Sequence, residues 1–174
     1  MLIEKTIDLK KTIGVSESTN FERVFPHIFN AEKKYIVPLL SFGMYEKLLD
    51  FYNNPDSGLL TRADMNTDFN FDFYTKVDSK STAYARLLYI TQSALAHLAF
   101  HDGFDVLNTF INDTGFKRQE GEHTKSLFKY QEDNIRNYFR ETGFNMLDRM
   151  LEFLSINIEH FPEYKEQHAL NSAR

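Results

Sequence analysis

The chain has 174 residues, enough for one domain with a continuous core, or one domain with an arm. Hydrophobic residues make up 42% and charged residues 26%, the mix of a globular chain, and the formal net charge is -5. With no cysteine, a disulfide scaffold, a thiolate zinc site, an iron–sulfur cluster and a cysteine nucleophile are excluded. The acidic balance argues against a general nucleic-acid binder, which needs a Lys/Arg surplus to neutralise phosphates.

Aromatics are abundant at 15%, while Gly (7) and Pro (4) are scarce, which argues against a sandwich or barrel built on many tight turns. No apolar run approaches the ~18–20 residues of a membrane span. The stretch Met1 to Lys11 carries Glu4, Lys5, Asp8, Lys10 and Lys11 and does not read as a signal peptide. The expected architecture is a single, mainly α-helical domain over residues 1–174. It is a bundle of four to five helices with one or two short extended or β segments and an irregular loop at 54–80.

Residues 1–17 read as an extended lead-in, with Ile3, Ile7 and Leu9 available for packing and Gly14 breaking the segment. Ser18, Thr19 and Asn20 are good helix caps. Behind them Phe21, Val24 or Phe25, Ile28, Ala31 and Tyr35 recur at helical spacing. Pro26 falls inside that pattern, and Pro38 is expected to end it. Ser41 caps a second short helix with Phe42, Tyr45, Leu49 and Tyr52 on one face, closed by the turn chemistry of Asn53 to Gly58.

Phe69, Phe71 and Phe73 then alternate with Asn70 and Asp72, the period of a strand or an extended arm. From Ser81 a long helix carries two adjacent stripes. One is Tyr84, Leu88, Thr91, Leu95 and Leu98; the other is Leu87, Ile90 and Ala94. So wide an apolar face belongs to a central helix packed on two sides, and Gly103 is the expected stop. Residues 106–118, with Val106, Thr109, Phe110 and Ile111 before Asn112-Asp113-Thr114-Gly115, read as a short hairpin or an ordered loop, and 117–125 as a solvated stretch. A last helical region spans Lys125 to Ile158. Its stripes before and after Gly143 are offset by about 80°, which implies a bend there or two faces for two partners. A polar tail, 163–174, follows.

Few residues suggest chemistry. His97 and His101 lie four apart on the long helix, with Asp102 and Asp105 near its end; two imidazoles one turn apart can share a divalent metal. The same pattern fits a hydrogen-bonded, partly buried His97 and a His101 capping the helix C-terminus, and His123 and His160 stand alone. The run Asp64 to Asp72 lacks the Gly and bidentate Glu of a calcium loop: those positions hold Phe69 and Thr75, or Phe73 and Ser79. No nucleophile elbow, phosphate-binding glycine loop or H-E-x-x-H motif occurs. No enzyme activity, cofactor or metal is therefore expected, and a metal-dependent helical-bundle enzyme using His97 and His101 is the alternative. The aromatic surplus points instead to packing surfaces. Phe69, Phe71, Phe73, Tyr74, Phe110 and Ile111 are the candidate subunit or partner interface, unless the domain's own core covers them.

The order of parts carries a resemblance. An early helix holds Phe25-Pro26-His27-Ile28 and the run Ala31-Glu32-Lys33-Lys34-Tyr35-Ile36-Val37-Pro38-Leu39-Leu40. Tyr45-Glu46-Lys47-Leu48-Leu49, an Ala-rich helix from Tyr84 to Ala99, Asn112-Asp113-Thr114-Gly115-Phe116 and Leu151-Glu152-Phe153-Leu154 follow in turn. Over residues 20–164 this resembles small helical proteins of phage and prophage structural gene clusters, which are similar to the head–tail connector (adaptor) proteins of tailed phages. The resemblance implies a structural, non-enzymatic virion assembly protein found in the virion or the bacterial cytoplasm. It implies a homo-oligomeric ring with portal and tail proteins as partners, DNA only passing through, and no membrane.

Overall fold

The computed structural model describes residues 1–13, 20–54, 76–107, 109–112, 115–118 and 129–165. They are mainly helical: α1 (Thr6–Thr12), α2 (Phe21–Ala31), α3 (Val37–Leu40), α4 (Phe42–Asn53), α5 (Lys80–Leu107) and α6 (Lys129–Ile156). A π turn, Glu32–Ile36, joins α2 to α3, and a 3-10 turn, Ile158–His160, follows α6. Between α5 and α6 the backbone of Thr109–Asn112 pairs antiparallel with Gly115–Arg118, with Phe110 opposite Lys117 and Ile111 opposite Phe116. No described helix is long and apolar enough to cross a membrane.

α5 is the centre. Every residue from 90 to 99 is buried, so the helix is covered around its whole circumference there, beyond the two-sided packing its stripes imply. α1, α2, the π turn, α4, α6 and Thr109–Asn112 all pack on it. Its polar side chains are satisfied inside the core. Thr91 Oγ1 donates to Leu87 O at 2.7 Å, and Gln92 Nε2 donates to Leu2 O at 2.6 Å.

Two glycines set the closest crossings. A Cβ on Gly103 would meet the His27 ring of α2 at 2.6 Å, and one on Gly143 would meet Leu98 Cγ at 2.7 Å. At both points a neighbouring side chain fills the space a Cβ would take. α5 runs through Gly103 to Leu107 instead of stopping there. Its last carbonyls are capped by Arg23 of α2, whose Nη2 donates to Val106 O (3.3 Å) and Leu107 O (3.5 Å). α6 likewise passes through Gly143 as one helix, beginning at Lys129 and ending at Ile156.

Two further expectations are corrected. The extended lead-in expected at 1–17 is corrected over its described residues, 1–13: Thr6–Thr12 is helical, and Leu2, Ile3 and Leu9 are fully buried. So short a helix needs tertiary contacts and a cap. Asp8 in its first turn provides the cap, accepting from Lys5 N at 3.1 Å and Glu4 N at 3.3 Å. Pro38 does not end the second element either. It lacks an N–H, and its ring would press on the carbonyl four residues back. The preceding π turn widens the helix, with Val37 N–H bonded to Glu32 O, and the chain continues to Leu40. The turn to α4 is made at Ser41, which holds φ 69 and ψ 159 while its Oγ accepts from Met44 N at 3.4 Å.

A single cluster of buried apolar side chains runs from Leu2 to Phe161. Where the chain enters α5 and leaves α6, the cluster is closed by a polar clasp. Val77 N–H donates to Asn157 Oδ1 at 2.8 Å, and His160 Nε2 donates to Val77 O at 2.7 Å.

Candidate assembly surface

The four residues read as a possible metal set are each committed elsewhere. His97 is buried on α5, its Nδ1–H donating to Ser93 O at 2.7 Å while its ring lies against Tyr138 and Phe139 at 6.1 and 6.0 Å. Burial pushes its pKa below the ordinary histidine value, with the Ser93 bond opposing, so the imidazole is neutral at pH 7. His101 Nδ1 donates to Arg136 O at 3.3 Å. Asp102 takes Lys34 Nζ at 2.9 Å and the Tyr35 hydroxyl at 3.1 Å, and Asp105 takes Arg136 Nη2 at 2.8 Å. These pairs tie the π turn and α6 to α5. Among the described residues no group of three or more His, Asp or Glu could hold a metal ion.

Two buried carboxylates have structural work as well. Glu32 Oε1 accepts from Leu2 N at 2.7 Å, and the Tyr45 hydroxyl also donates to its carboxylate. Burial raises the Glu32 pKa above its ordinary value of 4.5, and burial, with the Glu32 carboxylate beside it, pushes the Tyr45 hydroxyl up to about 12. Asp8 Oδ2 takes the Tyr52 hydroxyl at 2.7 Å. Tyr45 and Tyr52, two turns apart on α4, thus grip the first residues of the chain through two acids.

The feature without an internal purpose is an aromatic ladder on α2. Val24, Ile28 and Ala31 face the core, which leaves Phe21, Phe25 and Phe29 on an adjacent stripe at four-residue spacing. Phe21 meets Phe25 edge-on at 6.1 Å, and Phe25 stacks on Phe29 at 6.5 Å with 12° between the rings. Lys33 Nζ sits 4.0 Å above the Phe29 ring and ends the ladder. Phe25 and Phe29 remain 43% and 41% exposed, and Phe42 at the start of α4 is 66% exposed. Covering what remains bare on each α2 ring, about 80 Å², is worth about 2 kcal/mol at 25 cal/mol per Å².

Of the interface residues expected from sequence, Phe69, Phe71, Phe73 and Tyr74 lie outside the described residues. Phe110 and Ile111 are placed on Thr109–Asn112 by their backbone alone, and their side chains are likewise outside the described set. Sequence reasoning left Phe25 as an alternative core residue and passed over Phe29. The signal was the Phe21-Phe25-Phe29 spacing, running beside the core stripe.

The chain belongs to a family of unknown function, DUF6712, whose pattern matches residues 36–174. That span holds α3, α4, α5 and α6 and leaves out α1 and α2. No curated protein and no solved structure matches the chain.

Proposed function

We propose that this protein is a non-enzymatic structural subunit of a phage or prophage virion, a head–tail connector that closes into a ring between portal and tail. The observation that carries the reading is the stacked, water-facing Phe25–Phe29 pair. A lone globule gains little from such a ladder, whereas a neighbouring subunit that covers it gains about 2 kcal/mol per ring. The order of helices, which resembles connector proteins, supplies the virion context. In this reading the subunit acts in the virion and before assembly in the bacterial cytoplasm. A ring with the chain's net charge of -5 lets DNA slide past without gripping phosphates.

The test is light scattering on chromatographically separated protein across a wide concentration range, alone and with portal protein. Rings are expected, and Phe25→Asp with Phe29→Asp is expected to abolish them while the chain still folds, as judged by an unchanged helical circular dichroism spectrum and a cooperative melt, although the buried part of each ring makes some loss of melting temperature expected. A strict monomer that portal protein does not recruit sinks the reading.

A further inference from the structure

We infer that the seat holding residues 1–13 is a peptide groove that accepts this arm from a second copy of the chain as readily as from its own. The seat grips main chain more than side chain. The backbone of Leu2 is held from both sides, its N–H by Glu32 Oε1 at 2.7 Å and its carbonyl by Gln92 Nε2 at 2.6 Å. This is how an added strand is recognised, with apolar pockets alongside for the fully buried Leu2 and Ile3. Further along, Tyr52 of α4 takes Asp8 at 2.7 Å. Three elements, the π turn, α4 and α5, thus contribute one polar contact each.

This groove is unstable empty. Glu32 and Gln92 are buried, and each buried hydrogen-bonding group left without its partner costs about 1–3 kcal/mol. Something must therefore occupy every groove. In sequence residues 14–19 separate the arm from the seat, of which Tyr45, Tyr52 and Gln92 lie within the family-matched span 36–174, while Glu32 and the arm lie before it. Arm and seat are thus separable in sequence and complementary in space. A neighbour's arm would make every contact in the seat that the chain's own arm makes, with no new surface required. Only concentration distinguishes the two, because a short tether presents its own arm at about millimolar effective concentration. Dilute chains keep their own arms; copies crowded side by side exchange them. In a ring each subunit would then give one arm and receive one, a link that adds to the proposed assembly but is tested apart from it.

The absence of cysteine makes the test clean. Lys5, whose N–H is 3.1 Å from the Asp8 carboxylate, and Asn53, next to Tyr52 on α4, are both exposed. Full-length chains carrying Lys5→Cys alone and Asn53→Cys alone, with tags of different mass, are mixed and treated with a flexible bismaleimide. A chain carrying both substitutions calibrates the reach. The expected result is a mixed dimer that grows with concentration, exceeds the Lys5→Cys homodimer several-fold, and disappears when the Lys5→Cys chain also carries Leu2→Asp. Three outcomes overturn the inference: a doubly substituted chain that links only within itself while the mixture gives no mixed dimer, a mixed dimer indifferent to Leu2→Asp, or no linkage in any sample. Rings seen by light scattering without mixed dimers would remove arm exchange and leave the connector reading standing; mixed dimers without rings would do the reverse.

Discussion

Gly143→Ala tests the tight packing of α6 on α5 at Leu98. In an open helix interior the change would stabilise by about 1 kcal/mol, because glycine is the poorest helix former after proline. Here the new methyl would lie 2.7 Å from Leu98 Cγ, 2.8 Å from its Cδ2 and 3.3 Å from its backbone N. Carbon–carbon contact is comfortable at about 3.5–4.0 Å, so α5 and α6 must part by about 1 Å or Leu98 must leave its rotamer. Leu98 is fully buried and its α5 neighbours are buried too, so it cannot swing clear, and the upper part of the usual overpacking range, about 1–3 kcal/mol, applies. The net expectation is a loss of about 1–2 kcal/mol, or about 2–4 °C of melting temperature per kcal/mol for a chain of this size. Urea and thermal unfolding followed by circular dichroism measure it. Gly43→Ala, where no atom lies within 4 Å of the new carbon, is the control and should be neutral or stabilise by up to about 1 kcal/mol. If Gly143→Ala proves as stable as Gly43→Ala, the close approach of the two helices is wrong.

Glu32→Gln addresses the buried acid. Burial raises the folded-state pKa of Glu32 above 4.5, so the folded chain holds this proton more tightly than the unfolded one. Its contribution to stability is greatest below that value and is lost as pH rises through the folded pKa. The wild type minus variant difference in urea midpoint should therefore fall between acid and neutral pH, and a flat difference would contradict the placement. Ser41→Gly should hold or raise stability, by up to about 1 kcal/mol, because φ 69 with ψ 159 suits glycine and costs other residues about 1–3 kcal/mol. Ser41→Ala, which keeps the strain and loses the cap, should lower stability by about 1 kcal/mol; equal melts for the two variants would refute the strained turn. Asn157→Ala leaves the buried Val77 N–H without its acceptor and should cost about 1–3 kcal/mol, with unchanged thermal melts as the contrary result.

The central helix was legible because Leu87, Ile90, Ala94, Leu95 and Leu98 repeat over several turns, and long periodic segments admit few other readings. α1 was not. Leu2, Ile3 and Leu9 do not mark one helical stripe, and Thr6–Thr12 is held as a helix by contacts far away in sequence, Tyr52 on Asp8 among them. Pro38 and Gly103 were read by their local effects, a break and a stop. The structure answers the first with a wider turn and uses the second as a place for a neighbouring ring. The aromatic ladder shows why surfaces are harder than cores. α2 carries two parallel apolar stripes, Val24-Ile28-Ala31 and Phe21-Phe25-Phe29, and only its angle on α5 decides which is buried.

Because most elements lean on α5, the order in which residues are made matters. Leu2 meets Gln92, a separation of 90 residues. At about 5–20 residues per second, a ribosome needs about 5–20 s to make that stretch. For that interval the nascent chain carries Leu2 and Ile3 with nowhere of its own to put them, a window in which a chaperone can reach them first.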